Sequence, residues 1–230
     1  MDAVSDVSFR DRAVLVEDVL VLADLHVGYD ATSNVQFPIG EGTDVIHRFE
    51  ELCSAVTPQE VVIAGDLLHS FQTIPGPIER TVEGLREIAA SHDASIVVTP
   101  GNHDTLLDSV WDGTVEAEYR VGETVITHGH VPPEADADRY VVGHDHPTIT
   151  IEGQRRPCYL AGEGVYEGSD VLMLPAFTRL VRGVEVNGMS SGDFMSPLIR
   201  DIDSFAPVVW DDDAGEALEF PPLGAFRHRL

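Results

Sequence analysis

Val19-Leu20-Val21-Leu22-Ala23-Asp24-Leu25-His26 is the stretch on which the reading of this sequence turns. Its first five residues are apolar without interruption, the pattern of a strand buried on both faces, as in the parallel sheet of an α/β domain. The run then ends on an aspartate and a histidine two positions apart, which an extended chain projects to the same side. Upstream, Val14 to Val16 and the turn at Glu17-Asp18 make this strand the second arm of a hairpin. Downstream the same pattern recurs. Val61 to Ala64 ends in Gly65-Asp66, and Ile96 to Thr99 ends in Pro100-Gly101-Asn102-His103-Asp104. Val125 to Thr127 ends in His128-Gly129-His130, and Tyr140 to Val142 ends in Gly143-His144-Asp145-His146. In α/β sheets the carboxyl ends of strands form the crevice where ligands bind, and glycine there lets the chain turn sharply.

Between the early strands the apolar spacing becomes helical. Thr43 is placed to cap a helix that buries Val45, Ile46, Phe49, Leu52 and Cys53 and stops before Pro58. A second helix starting near Pro77 puts Ile78, Val82, Leu85, Ile88 and Ala89 on one face. Thr148 to Ile151, a turn at Glu152-Gly153, and Cys158 to Leu160 read as another hairpin, with Val171 to Leu174 a further strand. Strand–helix–strand alternation followed by consecutive strands predicts an α/β domain of layered sheets with outer helices. The last 45 residues, which include Asp211-Asp212-Asp213, follow no legible period. Neither a repeat nor a linker interrupts the chain, so residues 1–230 read as one domain, with the motifs inside 24–146 and further strands and a tail in 147–230.

Composition bounds the function classes. Of the residues, 43% are hydrophobic, enough for a substantial core. Forty acidic side chains face 14 basic ones, all arginine, for a net charge of −26. Such a charge strains a compact fold in dilute salt, whereas at about 1 M salt the Debye length falls to roughly 3 Å and the strain is screened. Acidic excess without lysine therefore points to a salt-filled cytoplasm and a halophilic, archaeal source. Cys53 and Cys158 are too few and too far apart for a disulfide framework or a thiolate zinc site. Asp2, Asp6, Arg10 and Asp11 occupy the place of a signal peptide's apolar stretch, and no run approaches the ~18 apolar residues of a membrane span. The expected protein is soluble and cytoplasmic, with no membrane partner. No basic patch or interleaved aromatics are visible, so composition does not support binding of an extended duplex.

The residues that end the strands decide the chemistry. Seven of the ten histidines lie in or beside these runs when His69 is included. Neutral imidazole and carboxylate oxygen suit borderline divalent cations, among them Mn, Fe, Co, Ni and Zn. The donors outnumber what one ion can coordinate, which favours two, about 3.5–4 Å apart and joined by a bridging carboxylate. Asp66, central among the runs and alone at its strand end, is the candidate bridge.

The order Asp-x-His, Gly-Asp, Gly-Asn-His-Asp, His-Gly-His, Gly-His-x-His resembles the calcineurin-like metallophosphoesterase superfamily from Asp24 to His146. Gly65-Asp66-Leu67-Leu68-His69-Ser70, Gly143-His144-Asp145-His146-Pro147 and Leu174-Pro175-Ala176-Phe177 are similar to small SbcD-related phosphoesterases of archaea and to bacterial PdeM-type enzymes linked with DNA-ligase and helicase genes. The resemblance implies two packed mixed β-sheets flanked by helices, a four-layer αββα sandwich. It further implies one metal on Asp24, His26, Asp66 and His146 and another on Asp66, Asn102, His128 and His144, with Mn the first choice. It makes His103 the catalytic histidine that binds no metal, Asp104 the group that orients its ring, and His69 a phosphate contact, leaving His130 outside the ligand set. The implied activity is metal-dependent hydrolysis of phosphodiesters, as a nuclease or phosphodiesterase linked to DNA repair, acting on nucleic-acid ends or nucleotides. Two alternatives stay open: a phosphomonoesterase or cyclic-nucleotide phosphodiesterase, and a binding scaffold of this fold without catalysis. The DNA-capping domain of full-length SbcD-like nucleases has no counterpart in the residues after His146. The loop Gly28 to Gly42 is expected to shape the pocket.

Overall fold

A computed structural model describes residues 4, 6–29, 41–69 and 76–229. The first sheet contains β1 (Val7–Arg10), β2 (Ala13–Val16), β3 (Val19–Leu22), β4 (Glu60–Ile63), β5 (Ser95–Val98) and β6 (Thr114–Val115), in that spatial order. Ten strands follow in the chain. They are β7 (Tyr119–Val121), β8 (Thr124–Ile126), β9 (Arg139–Val142), β10 (Pro147–Ile151), β11 (Gln154–Pro157), β12 (Tyr159–Tyr166), β13 (Ser169–Met173), β14 (Val184–Glu185), β15 (Ala206–Asp211) and β16 (Glu216–Glu219). Seven of them make the second sheet, ordered β16-β15-β12-β13-β9-β8-β7, and β11-β10-β14 make a small third one. Helices α1 (Glu41–Val56), α2 (Gly76–Ser91) and the single turn α3 (Leu223–Phe226) complete the frame. Both large sheets are mixed: β3 to β6 run parallel beside an antiparallel hairpin, as do β8, β9 and β13 within their sheet.

The uninterrupted apolar strands follow from burial on both faces. Val19 and Val21 point between the sheets, with Val62 and Val97, onto Ile126, Val141, Tyr159 and Leu172. Leu20 and Leu22, on the opposite face of β3, pack with Val61 and Ile63 against Phe49 and Leu52 of α1 and Val82 and Leu85 of α2. The outer face of the second sheet carries Val142, Leu160 and Met173, which pack with Ile149, Leu198, Phe205 and Leu223. That fourth layer is built from the third sheet, short helical turns and α3, so the only long helices among the described residues lie on one side. None of those helices is long and apolar enough to cross a membrane.

Three local expectations change. Thr43 lies inside the first turn of α1 and is not its cap, because the helix begins at Glu41. The partner of β10 is Gln154–Pro157, and the apolar run from Tyr159 instead enters the second sheet between β13 and β15. An arm carrying Gln154, Arg155 and Arg156 tolerates the exposure of a small outer sheet, whereas Tyr159, Leu160 and Ala161 need burial. The tail contains β15, whose pairing partner β12 lies far back in the chain, and β16, which pairs with β15.

Parallel register is what assembles the site. Leu22, Ile63 and Val98 are level in the first sheet, as are Ile126 and Val141 in the second. Five motif-bearing strand ends thereby reach one edge of the sandwich.

Candidate metal centre

Past their ends, β3 and β4 continue side by side: Asp24 N bonds Gly65 O (3.0 Å), His26 N bonds Asp66 O (2.9 Å), and Val27 N bonds Leu67 O (2.9 Å). Five of the turning residues are non-glycine residues in the left-handed region: Asp24 (φ 56), His26 (φ 46), Asp66 (φ 47), His144 (φ 80) and His146 (φ 50). Each such backbone costs roughly 1–2 kcal/mol, and it persists where the surroundings dictate side-chain direction. All five carry donor side chains aimed at one place.

The donors fall into two sets. In the first, ligand-type atoms of Asp24, His26, Asp66 and His146 all lie within 4.8 Å of one another. His26 Nε2 is 3.2 Å from His146 Nε2 and 3.8 Å from Asp66 Oδ2, and His146 Nε2 is 3.3 Å from Asp24 Oδ1. In the second, His128 Nε2 is 3.1 Å from Asn102 Oδ1, 3.1 Å from His144 Nδ1 and 3.5 Å from Asp66 Oδ2. Asp66 Oδ2 therefore belongs to both. Its other oxygen accepts from His103 N at 2.9 Å, which holds the carboxylate in that orientation. His128 Nδ1 donates to Ala64 O at 3.2 Å, and this fixes the tautomer that turns the Nε2 lone pair inward. Asp24 Oδ2 accepts from His144 N at 2.9 Å and ties the two sheets' loops together.

Electrostatics of the cluster are those of a cation site. Burial pushes Asp66 up to about 8, aided by the Asp24 charge. Burial also pushes Asp24 up, but His146, His128 and His26 outweigh it and hold that carboxyl near 2. Burial pushes His26 down to about 3 and His128 down to about 4. His146 is raised, because Asp24 and Asp66 prevail over its burial. Asp24 Oδ1 is buried and makes no hydrogen bond of acceptable geometry, although two imidazoles face it. Imidazole nitrogens set 3.1–3.2 Å apart, beside two close carboxylates, fit divalent cations of borderline character.

His103 and His69 stand beside the first set, with rings stacked at 5.5 Å between centroids and 18° between planes. Nitrogens of His26, His69 and His103 also lie within 4.8 Å of one another. The Asp104 carboxylate accepts from Gly101 N (2.9 Å), Leu68 N (2.8 Å) and Leu67 N (3.3 Å), so it laces the β4 and β5 loops together. His130 packs its ring 5.1 Å from that of His128, outside both sets. Asp145, between the two histidines of its turn, is a structural carboxylate. Fully buried, it accepts from Met195 N (2.9 Å) and Ser196 N (3.0 Å) and anchors the C-terminal segment to the His144–His146 turn. Its one signal was a charged residue between two histidines in a turn that has to be buried. Most of the Gly28–Gly42 loop, residues 30–40, lies outside the described residues, as does Ser70.

The family model for calcineurin-like phosphoesterases matches residues 18–148, the span that carries every donor above. The chain belongs to this family. Family membership implies divalent metal ions, which both donor sets suit. Among solved structures, the chain is similar to Pseudomonas putida nuclease MPE, at 21% identity over 91% of this chain and 92% of that one, with a TM-score of 0.65. It also matches YfcE, a phosphoesterase from E. coli, at 17% identity over 89% of this chain and 98% of that one, with a TM-score of 0.45.

Proposed function

We propose that the chain is a dinuclear metal-dependent phosphoesterase that hydrolyses phosphodiester bonds. The observation that carries this reading is Asp66 Oδ2, common to two separate nitrogen–oxygen donor sets. One ion is assigned to Asp24, His26, Asp66 and His146, the other to Asp66, Asn102, His128 and His144. Mn is the first ion to load, and Fe, Co, Ni and Zn share its donor preferences. Bound there, such a pair supplies positive charge for the phosphate oxygens and lowers the pKa of water. The protein's part is positioning and proton transfer. His103, held by its backbone on Asp66 and by its ring against His69, gives a proton to the leaving oxygen. His69 binds a phosphate oxygen beside it, and Asp104 keeps both loops in register. A nuclease of the same fold makes a nucleic-acid phosphodiester a natural substrate to try.

Removal of the His103 imidazole tests the assignment. His103→Ala is expected to keep the metal content of the wild type and to lose about 10²–10⁴-fold in turnover of bis-p-nitrophenyl phosphate, the usual contribution of a general acid. A variant with wild-type turnover removes His103 from the mechanism. Comparison with p-nitrophenyl phosphate on the wild type separates diesterase from monoesterase.

The net charge of −26 sets the assay conditions. Screening of surface repulsion between 0.1 and 2 M KCl is expected to raise the melting temperature by roughly 10 °C, equivalent to ~3 kcal/mol in a domain of this size. A melting temperature independent of salt rejects the adaptation to salt read from the composition.

A further inference from the structure

Five of the 14 arginines converge on one loop, although they are scattered from position 12 to position 182. The loop runs from the end of β13 to β14 along the first donor set. Phe177 N bonds Ala23 O (2.8 Å), Thr178 N bonds Asp24 O (3.4 Å), and Val184 N bonds His146 O (3.1 Å). Arg12 donates to Ala176 O (3.1 Å) and Thr178 O (2.6 Å), Arg48 to Phe177 O (2.6 Å), and Arg155 to Gly183 O (2.8 Å). Arg179 and Arg182 lie on the loop itself, and both are exposed. Burial, and then the neighbouring charge of Arg48, push Arg12 down to about 10, with Asp11 acting in the opposite direction.

Among the described residues three carboxylates accompany them. Asp11 pairs with Arg48 (2.5 Å), Asp44 is shared by Arg48 (3.7 Å) and Arg179 (3.4 Å), and Glu185 follows on β14. Among the described residues Arg12, Arg155 and Arg182 have no ion pair. The rim is thus net positive on a chain of net charge −26, and an anionic ligand is drawn to such a contrast. A single phosphate at the metal centre needs no cations spread along a loop, whereas a chain of phosphates does.

We infer that the loop at 174–183, with Arg155, Arg179 and Arg182 exposed along it, is a track for the sugar–phosphate backbone of a single polynucleotide strand leading out of the metal centre. This rests on the phosphodiesterase reading and names its substrate class. Arginine contacts to phosphate fix register without reading sequence, so the track is expected to be indifferent to base identity.

The double variant Arg179→Gln/Arg182→Gln tests it on the Mn-loaded full chain. By fluorescence anisotropy, its Kd for a labelled single-stranded DNA 12-mer is expected to rise about tenfold or more over the wild type. The slope of log Kd against log[KCl] is expected to fall by about 1.4, the share of two phosphates on a single strand. The ratio of kcat/KM on the 12-mer to that on bis-p-nitrophenyl phosphate is expected to drop by a similar factor. Arg80→Gln, the loss of one positive charge at an exposed position on α2, gives the per-charge effect of general electrostatics. Unchanged 12-mer binding in the double variant, or an equal loss per charge in Arg80→Gln, overturns the track. A wild type that binds the 12-mer through these arginines yet hydrolyses no phosphodiester overturns the catalytic reading and leaves the track standing.

Discussion

Asp66→Asn leaves the protein folded and without activity. Asparagine keeps an oxygen for His103 N, which now bonds Asp66 Oδ1 at 2.9 Å, and it keeps the side-chain volume. What it loses is the negative charge on the one atom common to both donor sets, and a neutral amide cannot bridge two dications. Metal content measured by plasma emission is expected to fall by at least half. Turnover of bis-p-nitrophenyl phosphate is expected to fall roughly a thousandfold or more, because both ions are weakened at once. Full metal occupancy with intact turnover would mean that the two sets do not share Asp66. The chelated proteins provide a further readout of opposite sign. Burial and Asp24 raise the Asp66 carboxyl to about 8 in the metal-free fold. A folded-state value above the unfolded value of about 4 means that the folded chain binds more protons, so stability falls as pH rises between about 4 and 8. Asp66→Asn lacks that loss, and its chelated form is expected to melt higher than chelated wild type at pH 8.

Gly65→Ala is expected to produce a large loss of stability from a single methyl group. Gly65 has φ +80, and a Cβ there would stand inside the van der Waals envelope of the fully buried His128 ring. Left-handed backbone costs an alanine roughly 1–2 kcal/mol, and forced overpacking adds roughly 1–3 kcal/mol. The ring has no slack, because its Nδ1 is tied to Ala64 O and its Nε2 faces the second donor set. Gly153→Ala separates the two contributions, since Gly153 has φ +77 but nothing within 4 Å of the added methyl. Urea denaturation in 2 M KCl is expected to show Gly65→Ala less stable than Gly153→Ala by about the overpacking share, together with weakened metal binding only in the former. Equal behaviour of the two variants would show that His128 yields freely.

The residues that terminate β3, β4, β5, β8 and β9 were legible in the chain because the physics there is local. A strand buried on both faces has to be apolar throughout, so the first polar residues after Ala23, Ala64 and Thr99 mark its end. The backbone amides that fold back onto the Asp104 carboxylate were not legible, because sequence adjacency to His103 says nothing about them. The second hairpin was misassigned because Cys158 to Leu160 has the same local pattern whether it pairs with β10 or crosses to β13 and β15.

From order and spacing alone come the candidate donor residues at the carboxyl ends of the strands and the polar chemistry that suits a divalent cation. Tertiary structure alone decides that one oxygen of Asp66 serves two sets, that Asp145 fastens the C-terminal segment, and that arginines 12, 48, 155, 179 and 182 meet on one loop. The physical reason is range. Alternation along an extended chain sets the side to which a residue points, over a few ångströms. Convergence between sheets depends on how the apolar faces of β3 and β9 pack, and that packing exists only once the whole core has formed.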